Sequence, residues 1–262
     1  MSYKWLNNPV VYKASHEISN FICGAVSYGF KYRLKHVAEY DENTDAIMYG
    51  VLRGCDKIMI NSKTIGRNYV NIDHGYFTDR AKNAHFRFTR NSRTYESKLL
   101  DLPADRFAKH NITVKDYKTD GDTIIILPPS VFWGQYSNID HKTWADTVKK
   151  QLEQITDKRI VIKNKYDVKP LSAWWPETYA VIHYSSMGAV EALIEGIPVI
   201  TLGPSFLSKY GSNQITEIDK IKLIDRTKLF NNLAYNQFSI NEIINGTAKL
   251  LLNEIYKEID NG

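Results

Sequence analysis

Apolar and polar positions along the chain switch between a period of two and a period of three to four, and the switches outline the elements. Residues 9–13, PVVYK, read as a short strand. Ser15 follows as a helix cap, and residues 16–30 carry Ile18, Phe21, Ile22 and Val26 at helical spacing. Residues 34–40 and 46–50 read as strands, and the turn between Gly50 and Gly54 opens a helix over 55–64. Residues 69–73 return as a strand that ends in His74-Gly75-Tyr76-Phe77. Alternation of this kind predicts a small parallel sheet.

From Asp79 to Asp122 the pattern breaks. Arg80, Lys82, Arg87, Arg90 and Arg93 interleave with His85, Phe86, Phe88 and Tyr95, with a short strand over 87–91 and a linker over 101–113. A buried strand, TIIIL, then occupies 123–127 and stops at Pro128-Pro129-Ser130. A boundary at 118–121 gives an N-terminal domain over 1–120 and a C-terminal domain over 121–262.

The second half alternates more clearly. Asp140 caps an amphipathic helix over 140–155 carrying Trp144, Val148 and Leu152, and a strand follows over 159–163. A turn of helix at 170–175 leads to a βαβ unit. That unit comprises a strand over 179–183, the turn Ser185-Ser186-x-Gly188, an apolar stripe of Val190, Leu193 and Ile194, a stop at Gly196, and a strand over 199–202. A helix over 212–221, an edge strand over 222–225 and helices over 225–261, broken at 239–241, complete the chain. The expected fold is α/β: two Rossmann-like domains with a C-terminal helical tail counted with the second.

Composition narrows this little. At 262 residues, 43% hydrophobic and 24% charged, the chain is ordinary for a globular protein. No apolar run approaches the roughly 18–20 residues of a membrane span, and MSYKWLNNPVVYK lacks the apolar core of a signal peptide. Cys23 and Cys55 offer neither a disulfide framework nor zinc spacing, so a reducing cytoplasm is expected. A net charge of +5 permits an anionic partner without demanding one.

The common nucleotide fingerprints, GxGxxG and GxxxxGK[ST], are absent, as are the GxSxG elbow and metal-ligand histidine spacing. Asp120-Gly-Asp122 matches a DxD metal motif but precedes a strand, and reads as a turn. What remains are small polar residues where second-half strands end: Pro129-Ser130, Lys163-Asn164-Lys165 and His183 to Ser186. Ligands of open α/β sheets bind beyond those ends. Ser130, Ser185 and Ser186 suit a diphosphate at a helix start opened by Gly188, Lys165 balances its charge, and Glu191 suits a ribose diol. The alternative is that both serines merely cap the helix and Glu191 complements its dipole.

Residues 159–203 resemble the nucleotide-sugar-binding half of GT-B-fold glycosyltransferases, in the branch of capsule-polysaccharide transferases and small phage-encoded relatives. The likeness rests on the basic strand from Ile160 to Lys165, His183-Tyr-Ser-Ser186, Glu191-Ala192 and Gly196-Ile-Pro-Val199. Asp73-His-Gly-Tyr-Phe77, Arg87-x-Thr-x-Asn91, Ala234-Tyr-Asn-Gln237 and Glu242-Ile-Ile-Asn-Gly246 resemble small phage members. Lys163-Asn-Lys165 departs from the family, where many relatives carry Arg or His-Pro.

The resemblance implies two domains facing across a cleft and a metal-independent transferase with no cofactor beyond a nucleotide-sugar donor, a UDP-sugar foremost. Its donor set would be Pro129, Ser130, Lys163, Lys165, His183, Ser185, Ser186, Gly188 and Glu191. Asp73 at its strand end is the first candidate base and His74 the second. Arg87, Arg90 and Asn91 are the acceptor-side candidates. Arginines among aromatics suit DNA, so a hydroxylated pyrimidine of phage DNA is the expected acceptor and a host cytoplasm the setting. A surface polysaccharide or lipid-linked glycan, favoured by an apolar and basic N-terminal face, is the competing acceptor. A GT-B-fold sugar-nucleotide epimerase and a non-catalytic nucleic-acid-binding protein are the other readings.

Overall fold

The computed structural model describes residues 4–77, 84–94, 98–118, 120–131, 134 and 137–261. In chain order these form β1 (Val10–Lys13), α1 (Glu17–Phe30), β2 (Arg33–His36), β3 (Ala46–Tyr49), α2 (Cys55–Thr64), β4 (Tyr69–His74), β5 (His85–Arg90) and α3 (Asp105–Ala108). Then come β6 (Thr123–Leu127), α4 (His141–Leu152), β7 (Arg159–Ile162), a 3-10 stretch (Leu171–Glu177), β8 (Thr178–His183), α5 (Gly188–Ile194) and β9 (Val199–Thr201). The chain ends with α6 (Arg226–Tyr235), β10 (Gln237–Ser239), α7 (Ile240–Ile244) and α8 (Thr247–Asn261). The α/β class with two largely parallel sheets is as expected.

Two compact units result: Met1–His110 with Thr227–Gly262, and Asn111–Arg226. The first holds a six-stranded sheet in the order β10-β5-β4-β3-β1-β2, parallel from β4 to β2, with β5 and β10 each antiparallel to its neighbour. Side chains alternate across its pleat. Val11, Ile47, Val70 and Ile72 join a core with Phe30 of α1, Ile243 of α7 and Tyr256 of α8. Val10, Tyr12, Ala46 and Met48 face the other way, onto Ile58 and Met59 of α2.

The tail expected with the second domain therefore packs on the first. Phe238 pairs with Phe86 across β10 and β5 and is fully buried, so the sheet is finished by residues about 150 positions downstream. Arg106 fixes this return. Its guanidinium grips the Glu242 carboxylate with two contacts, the shorter 2.6 Å, and donates to the carbonyls of Ala234 (3.1 Å) and Gln237 (2.9 Å). The stretch expected to be a linker thus contains a helix that clamps the tail.

The second sheet is parallel throughout, in the order β7-β6-β8-β9. Its unit begins at Asn111 rather than near residue 120, because the segment before β6 lies against the turn after α5. Lys115 N–H donates to Ile194 O (2.9 Å) and Lys118 N–H to Gly196 O (2.7 Å). Gly196 sits at φ +77°, and a Cβ there would fall 1.9 Å from Asp116 O.

Four local expectations are corrected. Ser15 does not cap α1: its hydroxyl lies 2.9 Å from His36 Nε2, and His16 takes the cap position without a side-chain bond. The strand from residue 34 stops at His36, where His36 and Glu39 bond back to each other's backbone and start a 3-10 turn. Of the helix expected over 212–221 only a 3-10 turn, Ile215–Glu217, forms, because Ser212 is drawn into a bridge with Ile200. The edge strand over 222–225 is replaced by a side-chain contact. The Tyr117 hydroxyl donates to Ile224 O (3.1 Å) and accepts from Ile224 N–H (3.2 Å).

Gly196→Ala is expected to destabilise the protein by more than about 2 kcal/mol, from left-handed backbone strain plus the approach to Asp116. Arg106→Ala is expected to cost about 3 kcal/mol by leaving Glu242 and two carbonyls half-buried without their partner. Urea unfolding checks both. A loss under 1 kcal/mol in either would contradict the packing described, by the usual scale of such effects.

Candidate active site

Strands β6 to β9 run the same way, so their carboxyl ends share one edge of the second sheet. Ile126 pairs with Ile162, Leu127 with His183 and His183 with Thr201. The chain moves from β6 outward to β7, then crosses back to the opposite side of β6 for β8 and β9. The winding direction reverses between β6 and β8, the place where open α/β sheets form a ligand crevice. The segments leaving those two strands begin Pro128-Pro129-Ser130 and Tyr184-Ser185-Ser186.

His183, expected among the donor-binding residues, is fully buried and serves the loop itself. Ser186 N–H donates to its Nδ1 (3.2 Å), which puts the ring proton on Nε2, 2.8 Å from Thr201 Oγ1. Burial pushes the imidazole down to about 3, so it stays neutral. Thr201 was overlooked in the sequence; the available signal was a hydroxyl residue ending the strand next to β8.

Ser186 Oγ accepts from Gly188 N–H (3.2 Å), the capping role considered above. Ser185 is half-buried, and among the described residues its hydroxyl makes no hydrogen bond. Gly188 is closely packed: a Cβ would come within 2.8 Å of Leu171 Cδ2 and 3.0 Å of Leu127 Cδ1, the ends of two side chains that would have to shift. Helix α5 spans just seven residues, so its dipole adds little to the turn that precedes it.

Around them the expected donor set divides. Pro129 is buried and Ser130 half-buried where the chain leaves β6. Lys163 is buried and closes its own turn, donating to Asn164 O (2.8 Å) with Asp167 Oδ2 at 3.7 Å. Lys165 is exposed, its ammonium 5.7 Å from the Tyr166 ring, and Glu191 is exposed on the first turn of α5.

In the first unit, Asp73 and His74 close β4. Asp73 Oδ2 accepts from Arg87 (2.8 Å) and Oδ1 from His74 N–H (2.8 Å). Burial works to raise the Asp73 carboxyl, but Arg87, helped by Arg93, outweighs it and holds the group below the usual carboxylate range. His74 is half-exposed, with Nε2 3.3 Å from the Tyr49 hydroxyl and its ring stacked on Phe86. Gln237, fully buried, shapes the turn that follows. Its Oε1 accepts from Tyr76 N–H (2.6 Å) and Phe77 N–H (3.1 Å), and its amide nitrogen donates to His110 Nε2 (2.9 Å). Gly75 leaves room for it, since a Cβ would meet Gln237 Oε1 at 2.7 Å.

The acceptor-side trio serves the fold. Arg87 is 3% exposed, with its guanidinium on Asp73 and His74 O (2.7 Å). Arg90 lies over the Tyr256 ring at 4.3 Å and pairs with Asp260. Asn91, at φ +59°, turns the chain out of β5 and accepts from Tyr69 N–H (2.9 Å). The charges of both arginines are matched inside the first unit, which removes the argument for a phosphate backbone along them. Arg80, Lys82 and Tyr95 lie outside the described residues.

The buried histidine gives a sign-definite pH effect. Its folded affinity for a proton is depressed, so below about pH 6.5 the unfolded chain takes up a proton that the folded chain refuses. Stability through His183 is complete above that value and lost as the pH falls toward 3. Between pH 7 and pH 5 this contributes a loss of about 2 kcal/mol. His183→Gln should show a correspondingly shallower decline in urea midpoint, and an unchanged slope would refute the buried neutral ring.

No protein-family model matches the chain, and no curated protein does. Solved structures do. One is Thermosulfurimonas dismutans KpsC, β-Kdo 2,7 transferase, at 16% identity and TM-score 0.55, over 93% of this chain and 99% of that one. Another is the KpsC β-Kdo 2,4 transferase of the same organism, at 12% identity and TM-score 0.51, over 91% and 98%. At such identities the likeness is one of fold: the chain shares its overall α/β fold with these two Kdo transferases.

Proposed function

We propose that the chain is a glycosyltransferase that moves a sugar from a nucleotide-sugar donor to a hydroxyl of a glycan. The observation that carries this reading is the set of small hydroxyl residues beside the switch point of the second sheet, in a fold shared along more than nine-tenths of the chain with two Kdo transferases. Those neighbours make a nucleotide-activated Kdo, CMP-Kdo, the first donor to test, ahead of UDP-sugars. A glycan acceptor takes precedence over DNA, since Arg87 and Arg90 are matched internally.

In this reading Ser185, Ser130 and the backbone N–H groups after β8 hold the donor phosphate, and Lys165 offsets its charge. Donors fixed in place before the reaction stabilise a leaving phosphate without reorganising, which lowers the barrier more than flexible ones do. His183 acts by holding that loop through Ser186 and Thr201. The base is assigned to His74, because Asp73 shares its lone pairs with Arg87 and the His74 amide and is less basic for it. Asp73 keeps the end of β4 in shape. The roles assigned here call on side chains and backbone N–H groups alone, with no metal ion.

A thermal-shift panel of CMP-, UDP-, GDP- and dTDP-sugars tests the donor site. Stabilisation by none of them would end the transferase reading. Ser185→Ala is expected to weaken the donor that binds about tenfold or more, the scale of one hydrogen bond to a charged group. His74→Gln should lower kcat by roughly a hundredfold or more with donor affinity unchanged. Full turnover by His74→Gln, alongside loss in Asp73→Asn, would return the base to Asp73. Chelation with EDTA should leave the rate unaltered. Conversion of the nucleotide sugar with no acceptor present would indicate an epimerase instead.

A further inference from the structure

Helix α4 has three faces rather than two. Ala145, Val148 and Leu152 are buried against the second sheet. Lys142, Asp146, Lys149 and Lys150 fall together on another side. Trp144, Thr147 and Gln151, spaced as helical neighbours, form a third line that carries no charge, and Gln154 and Ile155 extend it past the last turn.

Opposite this line stand Leu202, just after β9, and the 3-10 turn Ile215–Glu217. Between them runs a groove of about 530 Å³, within the size range of small-ligand sites. It belongs entirely to the second unit. Among the described residues its lining is uncharged, apolar at Trp144, Leu202 and Ile215 and polar at Thr147, Gln151 and Gln154.

Two details separate this groove from an ordinary seam between helix and sheet. Trp144 is held in place by Tyr184, whose ring it meets edge-on with centroids 5.6 Å apart. Tyr184 opens the Ser185-Ser186 loop, so the groove starts beside the carboxyl end of β8. Gln151 and Gln154 are exposed, and among the described residues their side-chain amides make no hydrogen bond. Solubility does not explain them, since Lys150 and Glu153 next to them show that charge is accommodated there.

We propose that the groove holds neutral sugar units of a glycan, apart from the donor crevice. A pyranose ring offers a face of C–H groups that packs on an aromatic ring, and a rim of hydroxyls that both donate and accept. Glutamine amides match that rim because they also do both. An apolar partner, whether a helix or a second copy of the chain, would cover Trp144 and leave the two amides buried without partners. An anion finds no cation in the lining. A groove that starts beside the donor loop suits the units that precede the acceptor hydroxyl. That identity of the glycan rests on the transferase reading, whereas sugar binding itself does not.

Calorimetric titration of the full chain with neutral hexasaccharides of glucose, galactose and N-acetylglucosamine, with no nucleotide sugar present, tests the proposal. At least one is expected to bind at millimolar concentration, with an affinity that raising the salt leaves unchanged. The double variant Gln151→Ala, Gln154→Ala should weaken that binding about tenfold or more, the loss expected of two neutral hydrogen bonds. Trp144→Leu should weaken it as well, and the exposed glutamine pair decides the matter if that variant unfolds. Ser185→Ala should leave it unchanged, which separates the groove from the donor crevice. Binding by none of the hexasaccharides, or binding indifferent to the glutamine pair, would overturn the proposal. So would a concentration-dependent dimer, seen by light scattering, that the glutamine variant abolishes. Sugar binding here, together with no response to any nucleotide sugar, would remove the transferase reading and keep the groove.

Discussion

The first unit depends on one constraint: its sheet cannot be completed by the residues that begin it. After β5 the antiparallel edge needs a partner, and the partner is β10, held by the buried Gln237 and by Arg106 on Glu242. Those two side chains act on different things. Arg106 fixes where the tail lies, with a charge satisfied from three sides. Gln237 fixes what the returning strand touches, since its amide fills the backbone groups of the turn after His74. A strand three residues long with few ladder bonds would be a weak edge by itself; the side chains around it make it definite.

The candidate residues divide by what their polar atoms are already doing. His183, Lys163, Arg87 and Arg90 have the chemistry of ligand-binding groups, yet each is engaged inside its own unit. Ser185 and Lys165 at the second sheet's edge, and His74 at the end of β4, retain exposure. Burying an unmatched charge is costly, so the engaged residues are better understood as the frame that keeps the exposed ones in place.

Much of the second unit could be read from the sequence because its strands are short apolar runs bounded by Gly and Pro, and Asp140 caps α4 through Thr143 N–H as its position predicts. The two failures there share a cause. Ser212 and Ile224 take their backbone partners from Ile200 and the Tyr117 hydroxyl, contacts between residues far apart in the chain that local periodicity does not encode. The same holds for β10, whose three residues give no period at all and whose place is set by Arg106. In the site, the strand ends and the Ser-Ser turn were legible. Which residues were free to act was not, because Asp73 became a salt-bridge partner only once β5 folded back beside β4.

The division of the chain into Met1–His110 with Thr227–Gly262 around Asn111–Arg226 orders events during synthesis. A ribosome emits the inserted unit complete, with all four of its parallel strands, before the last strand of the surrounding unit exists. Throughout that interval the nascent N-terminal part holds β5 with an open edge and with Phe86 and Phe88 lacking Phe238 and Tyr256 to cover them. The middle of the chain is thus the first piece able to reach its final state, and the beginning must wait for the end.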